Sequence, residues 1–142
     1  MLNDMTAILN PYLTFRGDAR AAIDFYHSVF GGELTSMTFA ENGDPYPGEG
    51  DKIMHAQIET PGGFTLMASD VPSTMGYAAG ENSFSVSLSG AKSDDGELRG
   101  YWDKLSEGAT IGEPLATAPW GDTFGMLTDR FGVTWLMNIS AD

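Results

Sequence analysis

The chain contains no cysteine. That excludes disulfides, thiolate metal ligands and a cysteine nucleophile, and it makes a reducing cytoplasm the expected location. Basic residues are scarce as well: seven Lys and Arg stand against twenty Asp and Glu, for a formal net charge of −13. A field of that sign repels phosphate backbones and anionic bilayers, so neither nucleic acid nor a membrane is an expected partner. No basic segment precedes an apolar one near residue 1, and no apolar run reaches membrane-spanning length. Neither a signal peptide nor a transmembrane helix is predicted. No glycine-rich loop suggests a nucleotide-type cofactor, and the serines lack a histidine and an acid at a spacing that would make a nucleophile.

What is present is one pattern written twice. Ala22, Phe25, Tyr26 and Val29 share one helical stripe before Gly31-Gly32, and Leu98, Tyr101, Trp102 and Leu105 repeat it before Gly108. Spacing of i, i+3, i+4, i+7 marks a helix burying one face. The helices align at an offset of 76, Tyr26 on Trp102 and Gly32 on Gly108. The strands behind them align at an offset of 70, with Gly62 on Gly132 and Leu66-Met67 on Leu136-Met137. A polar insertion at 92–96 distinguishes the second copy. At 142 residues and 42% hydrophobic content the chain forms one domain with a sizeable core, built of modules at 6–70 and 82–140.

Strands are predicted at 8–15, 33–39, 53–59 and 64–69, with a helix capped by Asp18 and ended by Gly31-Gly32. Residues 41–51, rich in Gly, Pro and carboxylates, read as a long loop that serves as a lid, an arm or a solvated tip. A linker follows at 71–81. The second half repeats the series: a strand at 82–89, a helix at 98–107 capped by Asp94 or Asp95, a short strand at 110–111, a loop at 114–122 and a hairpin of 123–128 with 133–139. Asp129 is a turn former. The order βαβββ, twice, predicts an α+β fold: two mainly antiparallel half-sheets around a concave cavity, helices on the outer face.

Strand alternation separates the two faces. Leu13, Phe15, Met54, Ala56, Ile58, Phe84, Val86 and Leu88 fall on the helix side. The opposite face collects Tyr12, Thr14, His55, Gln57, Thr65, Met67, Ser85, Ser87 and Trp135, a neutral, hydrogen-bonding and aromatic lining.

This duplicated pattern resembles the vicinal oxygen chelate superfamily of glyoxalase I, extradiol dioxygenases and fosfomycin- and bleomycin-resistance proteins, and within it the PhnB-like branch. The resemblance is carried by NPYLTF at 10–15, AIDFY at 22–26 with Gly31-Gly32, IMHAQ at 53–57, LMASD at 66–70, Trp120-Gly121, FGMLTDRFG at 124–132 and Trp135. It implies a homodimer whose members sometimes exchange halves, and a small-molecule ligand in the concave sheet. Members usually hold a divalent metal at four points, which fall here on Asn10, on Met67 or Leu66, on Ser83 or Ser85, and on Met137 or Leu136. None is a good ligand for a transition metal or zinc, so no metal or other cofactor is expected. A divalent metal on His55, Gln57 and Glu59 is the alternative, though those residues run linearly along one strand.

His55 is the candidate catalytic residue, because imidazole titrates near neutrality and serves as a general base; the competing reading is a structural histidine bonded within the sheet. His27 lies off the apolar stripe and is expected to face solvent. Tyr12, Thr14, Gln57, Met67, Ser85, Ser87, Trp120 and Trp135 are the candidate ligand contacts. Trp120, Trp135 and Tyr12 form either an aromatic platform for a flat or cationic ligand, or core. The expected function is metal-free binding of a small organic molecule. Two alternatives remain open: a metal-dependent lyase or dioxygenase acting on adjacent oxygens, and sequestration of a cationic antibiotic.

Overall fold

The computed structural model describes residues 9–74 and 84–142. The linker expected at 71–81 and the start of the strand expected at 82–89 lie largely outside them. Two compact units divide the chain, Met1–Tyr77 and Ala78–Asp142, and each is one βαβββ module.

The first module runs β1 (Tyr12–Phe15), α1 (Ala19–Phe30), β2 (Glu33–Thr38), β3 (Ile53–Glu59) and β4 (Thr65–Asp70). Its sheet has the order β1-β4-β3-β2, with β1 parallel to β4 and the other pairs antiparallel. The second module runs β5 (Val86–Gly90), α2 (Asp95–Leu105), β6 (Thr110–Thr117), β7 (Thr123–Thr128) and β8 (Thr134–Ile139), in the matching order β5-β8-β7-β6.

The apolar stripe of α1 is buried at Ala19, Ala22, Ile23, Tyr26, Val29 and Phe30, and the same sheet buries Phe15, Ile53, Ala56, Ile58, Leu66 and Ala68. Each large side chain taken out of water contributes about 1.5–3 kcal/mol. In the second module Leu98, Trp102 and Leu105 of α2 are buried, as are Leu127, Trp135, Met137 and Ile139. Ala22 with Leu98, Tyr26 with Trp102, and Val29 with Leu105 keep the helical offset of 76.

The helix starts differ from expectation. Asp18 occupies the N-cap position of α1 but makes no side-chain cap bond. Asp70, buried at the end of β4, takes the role: its Oδ1 accepts from the Gly17 and Ala19 N–H groups at 2.7 and 3.1 Å, and its Oδ2 from Ile53 N–H at 3.0 Å. One carboxylate thus ties together β4, the start of α1 and the start of β3. In the second module residues 92–96 are not an insertion ahead of the helix. They form a 3-10 turn (Lys92–Asp94) and the first residues of α2, and the Asp94 carboxylate accepts from Ala91 N–H at 3.0 Å.

Three strand expectations are corrected. Met54 does not pack under the helix; it is 38% exposed, because the β2–β3 register passes from Met37↔His55 to Thr38↔Ile53 and leaves Met54 as a bulge. Phe84 precedes β5 and is 87% exposed, so only Val86 and Leu88 turn inward. The loop placed at 114–122 begins later, since β6 continues through Pro114 to Thr117. An edge strand that bulges against β7 on both sides of Glu113 tolerates a residue without an N–H.

The segment 41–51 is folded back on its own module. A 3-10 turn covers Ala40–Asn42, the Tyr46 ring meets Phe39 edge-on at 5.3 Å, and Glu49 Oε1 accepts from the Lys52 ammonium and from Ser73 N–H, both at 3.3 Å. Burial raises the Glu49 pKa, but Lys52 and the Ser73 bonds together hold it below the usual carboxylate value.

Candidate ligand-binding site

On the face of the first sheet away from α1, four side chains form one hydrogen-bonded track. Tyr12 Oη lies 3.0 Å from His55 Nδ1, His55 Nε2 lies 3.2 Å from Gln57 Oε1, and Gln57 Nε2 donates to Glu59 Oε2 at 2.8 Å. Alternation along β3 puts His55, Gln57 and Glu59 on one side. Registration of Tyr12 and Gln57 on Met67 brings β1, β4 and β3 together there. The Tyr12 and His55 rings meet edge-on at 5.5 Å. Tyr12 is 48% exposed, and Thr14 and Glu59 are exposed beside it.

The track orders its own protons. An ionised Glu59 only accepts, so Gln57 turns its NH₂ toward it and its oxygen toward His55. His55 then carries its hydrogen on Nε2, and a neutral ring leaves Nδ1 to accept from the Tyr12 hydroxyl. The phenol oxygen keeps lone pairs for a ligand. His27 has another role: it is half-buried, and its Nε2 lies 2.9 Å from the Gly32 carbonyl, closing the end of α1.

The second sheet shows where the strand alignment shifts. Thr60 N–H donates to Phe64 O and Gly63 N–H to Thr60 O; Asp129 N–H donates to Val133 O and Gly132 N–H to Asp129 O. Gly63 and Gly132 share left-handed φ angles of 94° and 91°. The turns therefore superpose at an offset of 69, one less than the glycine pattern suggested. A slip of one residue exchanges the two faces of a strand. Trp135 corresponds to buried Leu66, not to Thr65, and it lies in the core at 2% exposure with its indole N–H on Asp129 Oδ2 at 2.8 Å. It does not face the open side of the sheet, where the sequence pattern places it.

Trp120 sits in the β6–β7 turn at 68% exposure, so the platform proposed for it with Trp135 is not built. Ser87 does lie on the open face, in register with Leu136, and Ser85 is exposed just before β5. The 69 offset sets Phe124, Met126 and Thr128 against His55, Gln57 and Glu59. The polar track belongs to the first module only.

The glyoxalase/bleomycin resistance protein/dioxygenase superfamily model matches residues 8–137. The chain belongs to that superfamily. Protein YjdN of Escherichia coli is 28% identical over 92% of this chain and 94% of its own. The crystal structure of PA1353 from Pseudomonas aeruginosa superposes with a TM-score of 0.81 at 38% identity, covering 96% of this chain and all of the other. A Bacillus cereus protein described as a putative 3-demethylubiquinone-9 3-methyltransferase, PhnB protein, gives a TM-score of 0.69 at 25% identity, covering 94% of this chain and all of the other.

For a superfamily member, the residues at the usual metal positions fit a divalent ion poorly. Met67 and Leu136 are the equivalent open-face residues of β4 and β8, a thioether and an alkyl group, while Met137 and Leu66 are buried in the core. Asn10 and Ser85 add neutral oxygens, and Ser83 lies outside the described residues. Transition metals and zinc want imidazole, carboxylate or thiolate instead. Along β3, Gln57 is bonded to both His55 and Glu59 and stands between them. Among the described residues no three His, Asp or Glu side chains gather as a metal site, and no helix is long and apolar enough to cross a membrane.

A groove of about 530 Å³ lies between α2 and β6, lined by Arg99, Trp102, Asp103, Ser106, Ile111, Pro114 and Leu115. At the helical offset of 76, Arg99 and Ser106 replace Ile23 and Phe30, which are buried in the first module. Two of its polar groups are already engaged: Arg99 pairs with Asp95 at 2.9 Å, and the Ser106 hydroxyl donates to Trp102 O at 2.7 Å. The first-module track links four side chains of β1 and β3 in one line, whereas Arg99 and Ser106 of the groove bond along their own helix.

Proposed function

We propose that this superfamily member binds a small organic molecule on the open face of its first sheet, without a metal at the family positions. The observation that carries the reading is the Tyr12–His55–Gln57–Glu59 track, an ordered polar line on a partly exposed sheet face. Binding sites commonly combine a mostly apolar lining with a few placed polar groups. Here Met67 supplies apolar surface, and Thr14 and Tyr12 supply accessible oxygens. His55 is the group able to move a proton if the ligand reacts. A homodimer in the cytoplasm completes the proposal; exposed apolar side chains on the edge strands, Met37 on β2 and Ile111 on β6, favour assembly.

The test is a thermal-shift screen of a small-molecule library on the purified protein, with hits titrated against Tyr12→Phe and His55→Ala. Loss of one directed hydrogen bond, about 1.4 kcal/mol, weakens binding about tenfold. Binding that survives both variants would remove the proposal. Binding that requires one equivalent of metal per chain, found by elemental analysis, would instead support the metal-dependent lyase or dioxygenase reading.

A further inference from the structure

We infer that this face selects ligands that donate hydrogen bonds or carry positive charge and discriminates against anions, an inference that rests on the binding reading above. Three observations lead to it. The first is proton order. Glu59 takes a Gln57 N–H, the Gln57 oxygen faces His55 Nε2 and takes its hydrogen, and Nδ1 of a neutral His55 ring, 3.0 Å from Tyr12 Oη, is left to accept the Tyr12 O–H. With that tautomer the hydroxyl hydrogen of Tyr12 points inward along the track, and its oxygen presents lone pairs to a ligand. The second Glu59 oxygen likewise only accepts.

The second observation concerns where positive charge is missing. None of the described strands contains Lys or Arg; all seven basic residues lie in helices, turns or loops, with Arg16 just after β1 and Lys52 just before β3. An anionic ligand resting on either sheet meets no strand-borne cation. The strands do carry carboxylates, at Glu33, Glu59, Asp70 and Glu113.

The third is a like-charge pair. Glu33 on β2 stands directly opposite Glu59 on β3, and partners in an antiparallel ladder share a face. Among the described residues neither carboxylate is paired with a cation. Like charges in register repel, and a ligand cation set beside them relieves the repulsion. The pair lies at the Glu59 end of the track and defines where the positive end of a ligand sits. Gln57 then faces the middle of the molecule and Tyr12 its far donor group.

The experiment uses three probes of one shape, benzylamine, benzyl alcohol and benzoate, followed by backbone amide NMR on the full chain at low salt. The expected result is shifts at Tyr12, His55, Gln57 and Glu59, with benzylamine binding at least tenfold tighter than benzoate and benzyl alcohol between them. Glu33→Gln combined with Glu59→Gln should cut that ratio at least threefold. Asp24→Asn, on the exposed side of α1, should leave it unchanged and so separate a local effect from the general acidity of the chain. Benzoate binding here as tightly as benzylamine would overturn the selectivity and leave the face standing as a ligand site. No shift at these four residues, from the probes or from any hit of the library screen, would overturn the binding reading and the selectivity with it.

Discussion

The indole N–H of Trp135 donates to Asp129 Oδ2 at 2.8 Å, and both residues are buried beside the β7–β8 turn. The other carboxylate oxygen accepts from Phe131 and Val133 N–H at 2.8 and 3.1 Å, so one side chain shapes the turn and anchors the tryptophan on the helix side of its sheet. Asp129→Ala removes the acceptor shared by a buried indole and two backbone donors. It is expected to cost about 2–4 kcal/mol in urea unfolding. Asp129→Asn keeps the turn but sets an NH₂ against the indole, and should cost about 1–3 kcal/mol.

Asp70 does the corresponding work in the first module with three backbone donors, from Gly17, Ala19 and Ile53. Asp70→Ala should cost about 3 kcal/mol or more, because the first turn of α1 and the entry to β3 lose their acceptor together. The check is amide exchange: Ala19 and Ile53 should lose protection well before residues in the middle of α1.

Gly32 and Gly63 both have left-handed φ, at 92° and 94°, but differ in surroundings. A Cβ on Gly32 would collide with the Glu59 carbonyl oxygen, whereas a Cβ on Gly63 meets nothing within 4 Å. Gly63→Ala should therefore cost only backbone strain, about 1 kcal/mol, and Gly32→Ala at least twice that. Denaturation midpoints of the two variants measure the difference. Because Gly32→Ala presses on the end of β3, it should also shift the amide signals of the Gln57–Glu59 segment.

Much of this architecture was legible in the chain. The repeated apolar stripe marked both helices, and period-two alternation placed His55, Gln57 and Glu59 together on the open side of β3. The face of Trp135 is not legible because adjacent glycines, Gly62 and Gly63, both fit the turn pattern. Only the hydrogen bonds of Thr60 and Asp129 show which one matches Gly132. The cap supplied by Asp70 left no local signal, since its partners lie 51 and 53 residues earlier in the chain. Pro114 read as a loop because a strand interior excludes proline, while a bulged edge does not.

Acid should loosen the 41–51 segment before the fold fails. The Glu49 pKa is held below its usual value, so its anchoring is fully present above that value and is lost as pH falls through the lowered one. The Ser73 amide signal should titrate over that range, and in Glu49→Gln it should be independent of pH and lie near the low-pH position of the unsubstituted chain. A Ser73 amide indifferent to both changes would contradict the anchoring role.

The central claim is that the open face of the first sheet is where a ligand goes. A crystal structure of the protein with the tightest hit of the library screen tests it most directly. The account predicts the ligand against Tyr12, His55 and Gln57, with a donor group on the Tyr12 oxygen or a positive end beside Glu33 and Glu59. A ligand seated between α2 and β6, in the groove of Arg99, Ile111 and Leu115, would contradict it.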